Sequence, residues 1–410
     1  MQEIVLIASS SRGGSSVFSE YLRRSRALIH LQGEINPFLL RAGLSFHDTD
    51  TDSDALEARH AAQSGPLRSL LRRELGNPVS AVDLPQLIDA LTDRLAMQWS
   101  HLSIPRSSVA GAASAALARL QDEAGWPVGV IPEVGAFHAA FLAQIRMSFP
   151  SISPHYYDLS RTLIRRLCPA PRPVGPPGPR IIEEPPFVTI SPWQLAEELD
   201  RPVIIKTPSN AYRLPFYAAL FPEARLRIIH LTRNAASAIN GLYDGWRYPE
   251  GFYSIHLPGQ LDIPGYSDAF PAFGHDWWQY DLPPGWRDWT RRPLEEVCGF
   301  QWRSAHRAIR DFTTANPHID VHRLRFEDLI ASEARARAAI DGLIDWLGIT
   351  PDAPLSQTTL LTMPLVMSTD KPRHRRWFDK ATLLDPVLDR EDTRALMAAL
   401  DYDPDPETWL

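Results

Sequence analysis

The run Glu3-Ile4-Val5-Leu6-Ile7-Ala8 is apolar and passes straight into Ser9-Ser10-Ser11-Arg12-Gly13-Gly14-Ser15-Ser16, after which Val17-Phe18 opens an amphipathic stretch. This order predicts a buried strand, a short hydroxyl-rich turn and a helix over residues 15–25. Backbone N–H groups of the Gly13-Gly14 turn can converge on one ligand, the helix points its positive end at the same place, and Ser15 and Ser16 add hydroxyl donors. The natural occupant of such a cradle is a phosphate group. A nucleoside-triphosphate loop of the form G-x-x-x-x-G-K-[ST] is not present, because Ser9 stands where its first glycine belongs and Ser15 where its lysine belongs. A fixed cation, Arg12, precedes the glycines instead.

Composition narrows the classes around this feature. The chain has 410 residues, 44% of them hydrophobic and 10% aromatic, which is ample for a large core. Because α/β domains often carry long insertions, we read residues 1–410 as a single domain. Its two cysteines, Cys168 and Cys298, lie far apart without CxxC spacing, so neither a disulfide framework nor a zinc site is expected. The net charge of −7 and the lack of a long basic tract disfavour nucleic-acid binding. The first strand begins within three residues and no window is apolar enough to span a bilayer, so the expectation is a cytoplasmic protein without a membrane span. Of 42 basic residues only Lys206, Lys371 and Lys380 are lysine, and a compact rotatable ammonium is chemically distinct from the planar fork of arginine.

Three further segments matter. Pro202-Val203-Ile204-Ile205-Lys206-Thr207-Pro208 reads as a short buried strand with a polar end. Leu226-Arg227-Ile228-Ile229-His230-Leu231-Thr232 reads as another, ending in Arg233-Asn234 before a helical stretch that Asn234 can cap. Near the C-terminus, Arg323-Leu324-Arg325-Phe326-Glu327-Asp328-Leu329 closes a strand, and Lys371-Pro372-Arg373-His374-Arg375-Arg376-Trp377 forms a basic loop.

Taken in order, these segments resemble the sulfotransferases that use 3′-phosphoadenosine 5′-phosphosulfate (PAPS). The resemblance implies an α/β, three-layer P-loop-like fold with a central parallel sheet. It implies PAPS as co-substrate, 3′-phosphoadenosine 5′-phosphate as product, and no metal. Ser11, Arg12, Gly13, Gly14, Ser15 and Ser16 match the loop for the 5′-phosphosulfate, with Arg12 stabilising charge on the leaving phosphate and Lys206 assisting. Arg233 matches the arginine that grips the 3′-phosphate. The serine usual eight residues later is Gly241 here, and Ser237 is the nearby hydroxyl. Lys371, Arg373, Arg375, Arg376 and Trp377 match the loop that closes over the nucleotide, while Glu327 and Asp328 read as structural. The alternatives are a nucleotide-dependent phosphotransferase and an inactive nucleotide-binding scaffold.

An acceptor hydroxyl needs a base. Glu34, in Gln32-Gly33-Glu34-Ile35, matches a glutamate that serves as base in bacterial members of the family, and His47 is the alternative because imidazole titrates near neutrality. His256 and His275 are weaker candidates. Residues 48–127 show helical patterns over 84–99 and 110–124 and no comparable strand, predicting a helical insertion. The chain is then expected to return through Val128-Gly129-Val130-Ile131 and a helix over 136–147, followed by a proline-rich loop at 169–186. Residues 244–298 form a long aromatic, proline- and glycine-containing insertion. It reads either as a lid over a small-molecule acceptor with apolar or ring surface, or as a cluster that packs on the sheet.

Overall fold

The computed structural model describes residues 2–157, 159–176, 178, 190–364, 369 and 373–409. Nine strands run along the described residues: β1 (Glu3–Ala8), β2 (Ile29–Leu31), β3 (Leu75–Pro78), β4 (Trp193–Leu195), β5 (Val203–Lys206), β6 (Arg225–Thr232), β7 (Tyr253–His256), β8 (Trp277–Gln279) and β9 (Asp320–Arg325). Seven of them form one sheet in the order β4-β3-β2-β5-β1-β6-β9.

β1 lies in the middle of the sheet, paired in parallel with β5 from Ile4↔Val203 to Ile7↔Lys206 and with β6 from Glu3↔Arg225 to Ala8↔His230. Its continuous apolar run is explained by burial on both faces. Ile4, Leu6 and Ala8 join a core with Leu214, Phe216 and Ile309, while Val5 and Ile7 face Phe18, Leu22, Ile340 and Leu343. Helices on both sides of the sheet therefore give three layers.

The sheet is mostly parallel, as expected, with antiparallel pairings only at one edge. β3 pairs antiparallel with β2, and β4 antiparallel with β3. β3 also lies inside residues 48–127, so that insertion is not wholly helical. Its sequence, Leu-Gly-Asn-Pro, lacks the apolar or alternating pattern of a strand, and Pro78 fits only because the position is near an edge. Val128–Ile131 does not return as a strand but makes a single bridge, Val130 to Ala81. The helices Leu84–Gln98, Arg106–Ala124 and Val134–Ser148 pack into a core of their own with Leu91, Ala113, Phe137 and Phe141.

The aromatic insertion divides its residues between two tasks. Trp246, Tyr266, Trp278 and Trp286 are buried with Trp302 of the helix Leu294–Ala315 in a fourth core. Phe252, Tyr253, Ile255 and Tyr280, on and beside the β7–β8 hairpin, line a cavity, Ile255 and Tyr280 also packing on that core. Among the described residues no helix is long and apolar enough to cross a membrane.

Candidate active site

The turn after β1 is built by backbone conformation. Arg12 and Gly14 both adopt left-handed backbone, with φ of 62° and 93°, and the Gly13 N–H donates to the Ser10 carbonyl at 3.1 Å. Gly14 is obligatory on two counts: its φ, and a Cβ there would lie 2.2 Å from the Phe326 ring. The helix Ser15–Arg23 starts at once behind it. The consequence is an anion-binding concavity at a helix N-terminus.

This turn forms one wall of a cavity of about 610 Å³. Ser11, Arg12, Gly14, Ser15 and Ser16 line it, together with Arg233, Ser237 and Gly241 from the end of β6 and the helix Ala235–Trp246. Arg233 Nη1 donates to the Arg12 carbonyl at 3.0 Å, and its guanidinium stands 5.2 Å over the Phe326 ring. Burial lowers the Arg233 pKa to about 10, with the positive charges of Arg12 and Arg376 adding to the effect and Glu327 opposing it. The group stays charged at neutral pH, in a region whose own cations repel it. An anion bound there relieves both costs.

Asn234 caps the helix as expected, its Oδ1 accepting from Ser237 N at 2.8 Å. Glu327 fixes that cap in turn, accepting from Asn234 N at 2.9 Å and Nδ2 at 2.7 Å, while Asp328 pairs with Arg325 and Arg335. Gly241 packs against Arg12, whose Cβ would lie 3.3 Å from an added Cβ. A serine at 241 would crowd the arginine that the turn presents.

The C-terminal basic segment reaches the cavity in part. Arg373, His374, Arg376 and Trp377 line it, with Arg376 held by Asp244 at 2.5 Å and Arg373 paired with Asp379. Arg375 is directed elsewhere, bonding Glu407 and the Trp409 carbonyl. Lys371 lies outside the described residues.

Lys206 and Glu34 meet each other. Lys206 Nζ is 2.5 Å from Glu34 Oε1 and 3.2 Å from Ser16 Oγ, with both side chains buried. Among the described residues neither lines the cavity, but Ser16 connects them to it. Glu34 is thus engaged as the counter-ion of Lys206. His47 is exposed, stacked edge-on against Phe46, and is not brought to the cavity. His256 stacks on Trp277, and His275 bonds the Leu261 carbonyl, so both belong to the aromatic insertion itself.

Polar residues that the sequence did not single out also stand at the cavity. Asp281 accepts from Ser11 Oγ and, at 2.8 Å, from the Tyr212 hydroxyl. Asp54 accepts from Ser209 Oγ at 2.6 Å and from Leu282 N at 3.0 Å, and Arg213 lies 3.6 Å from its carboxylate. Asn36 accepts from Arg213 at 2.6 Å. The available signals were the position of Tyr212-Arg213 just after the Lys206-Thr207-Pro208 end of β5 and the polar Gln279-Tyr280-Asp281 inside an aromatic run. Leu39, Leu40, Leu44 and Phe46 give the same side of the cavity an apolar wall. Among the described residues no group of three or more His, Cys, Asp or Glu is placed to hold a metal ion.

The fold and this site define an α/β protein with a backbone anion cradle opening on a partly apolar cavity. No protein-family model and no curated protein matches the chain. Among solved structures it is similar to the sulfotransferase domain from the Synechococcus PCC 7002 olefin synthase, at 15% identity over 98% of this chain and 95% of that one, with a TM-score of 0.32. It is also similar to the sulfotransferase domain from the curacin biosynthetic pathway, at 13% identity over 98% and 99% of the two chains, with a TM-score of 0.33.

Proposed function

We propose that the protein is a sulfotransferase that moves a sulfuryl group from PAPS to a hydroxyl or amine of a small-molecule acceptor. The observation that carries this reading is the convergence of the left-handed turn, Arg12 and Arg233 on one cavity, where half-buried cations sit beside a backbone anion cradle without a Walker lysine. The turn of residues 11–16 holds the 5′-phosphosulfate through its N–H groups and the Ser15 and Ser16 hydroxyls. Arg233 holds the 3′-phosphate, with Ser237 as the hydroxyl that replaces the contact missing at Gly241. Arg373, Arg376 and Trp377 cover the nucleotide.

Sulfuryl transfer leaves negative charge on the departing phosphate, and a preorganised cation beside it is worth most at that moment. Arg12 supplies it. Lys206 acts through Ser16, fixing the first turn of the helix behind the cradle, with Glu34 as its counter-ion. The wall of Leu39, Leu40, Leu44, Phe46 and Ile255 favours an acceptor with apolar or ring surface.

The test is incubation with sulfur-labelled PAPS and a panel of alcohols, phenols and amines, read as label transferred to acceptor. Transfer without added divalent metal is the expected result. Phosphoryl transfer from ATP in the same panel, with none from PAPS, would replace this reading with a phosphotransferase.

A further inference from the structure

We propose that Asp281 is the catalytic base, taking the acceptor's hydroxyl proton as the acceptor oxygen attacks sulfur; this rests on the sulfotransferase reading above. The residue is only 2% exposed, yet it lines the cavity. Its Oδ1 accepts from Ser11 Oγ, in the residue just before Arg12, and its Oδ2 accepts from the Tyr212 hydroxyl. Each carboxylate oxygen has two lone-pair directions, so these two bonds do not exhaust the carboxylate's capacity to take a substrate proton. Because the two donors come from the loops after β1 and β5, they hold the carboxylate from two sides beside the anion cradle. Its own backbone is fixed as well, the carbonyl accepting from Trp278 Nε1 and Gln301 Nε2, both at 2.8 Å.

The groups facing it are few. Ser11 comes from the phosphate turn, Tyr212 from the segment after β5, Asp54 with its Arg213 partner from the segment before residue 56, Tyr280 from the preceding position, and the backbone N–H of Asp281 itself also faces the carboxylate. Burial raises the Asp281 carboxyl to about 6; the bonds from Ser11 and Tyr212 oppose the rise and the charge of Asp54 adds to it. A base is most effective when its pKa lies near the working pH. Glu34, by contrast, is engaged by Lys206, and His47 is exposed away from the cavity.

In the step, the acceptor O–H bond breaks and its proton goes to Asp281 while an acceptor O–S bond forms. The S–O bond to the 5′-phosphate breaks, and its electron pair stays on the phosphate oxygen next to Arg12. Asp281 then returns its proton to solvent as the products leave.

The experiment uses sulfur-labelled PAPS with two acceptors of similar size, 4-nitrobenzyl alcohol, which must lose a proton, and 4-nitrophenol, which ionises near neutral pH and needs no base. Single-turnover rates and affinity for 3′-phosphoadenosine 5′-phosphate are measured for the wild type, Asp281→Asn and Tyr212→Phe. Asp281→Asn is expected to slow transfer to the alcohol by about 10²–10⁴-fold and to the phenol by less than about tenfold, with nucleotide affinity retained. Tyr212→Phe removes a hydrogen bond that favours the carboxylate, so the acid limb of the alcohol pH–rate profile moves to higher pH. That arm stands even if Asp281→Asn does not fold. Equal losses on the two acceptors, no loss on the alcohol, or an unmoved acid limb overturns the proposal. So does wild-type transfer to neither acceptor, or to the phenol alone, with the nucleotide bound. Failure of the wild type to bind 3′-phosphoadenosine 5′-phosphate overturns the sulfotransferase reading as well.

Discussion

The turn after β1 and the aromatic segment 244–298 meet at the wall of one cavity, and they are built in opposite ways. The turn is made by consecutive residues whose backbone does the work: Arg12 and Gly14 are left-handed, and Gly13 bonds back to Ser10. The aromatic segment works through side chains that meet residues far away in sequence. Asp281 reaches Ser11 and Tyr212, while Trp246 and Trp278 pack with Trp302 in a core. The anion cradle is therefore a local property of the chain, whereas the aromatic wall of the cavity is the margin of a packed core. Truncating the Arg12 side chain in the turn should alter chemistry with little effect on folding, and substitutions in the aromatic segment should divide by the direction in which a side chain points.

The largest effect expected from this contrast is on stability. Trp246 is fully buried, contacts Trp278 and Tyr266 edge-on and donates to Gln301 at 2.9 Å. Trp246→Ala should cost about 3–5 kcal/mol in urea unfolding, as large core truncations do. A loss below about 1 kcal/mol would show that the segment is a detachable cover and not part of a core.

Next is Arg12→Ala, which exchanges one left-handed non-glycine residue for another and so leaves the turn's backbone demand unchanged. It should remove about 3 kcal/mol of transition-state stabilisation, read in single-turnover rate, while nucleotide affinity changes much less. Normal turnover would take Arg12 out of the mechanism. A smaller effect is expected at Phe252, which is half-buried and stacked on Tyr280 with ring centroids 4.8 Å apart. Phe252→Ala should cost about 1 kcal/mol of stability and raise the acceptor KM. If its cost matched that of Trp246→Ala, the division of the segment into core-facing and cavity-facing residues would be lost.

The smallest is Gly241→Ala, where the added methyl meets Arg12 Cβ at 3.3 Å. Helix propensity favours the alanine, so stability should change by less than about 1 kcal/mol while the single-turnover rate falls as Arg12 is displaced. An unchanged rate would mean that Arg12 tolerates the shift.

The same contrast explains which features were legible in the sequence. The β1 strand, its turn and the following helix are each coded by neighbours in sequence, as is the Asn234 cap, and all four form where expected. β3 and β4 escaped because Leu-Gly-Asn-Pro and Trp-Gln-Leu acquire strand geometry only from their antiparallel partners. Glu34 and Lys206 were each visible as chemical candidates. That they neutralise each other was not, since they are 172 positions apart and nothing in either segment specifies the other. Asp281 was hidden for the same reason: its partners lie on two other loops, and an aspartate after two aromatic-rich strands looks like any polar turn residue.

The central claim is that this cavity selects a nucleotide with phosphate on its 3′ side through Arg233. It is tested most directly by a calorimetric cycle in which 3′-phosphoadenosine 5′-phosphate and adenosine 5′-phosphate are each titrated into the wild type and Arg233→Ala. The account predicts that removing the 3′-phosphate costs the wild type about 1.5–3 kcal/mol of binding, the range for a hydrogen bond to a charged group, and costs Arg233→Ala almost nothing. Equal losses in the two proteins would show that Arg233 does not hold the 3′-phosphate, and equal affinity of the wild type for both nucleotides would contradict the claim altogether.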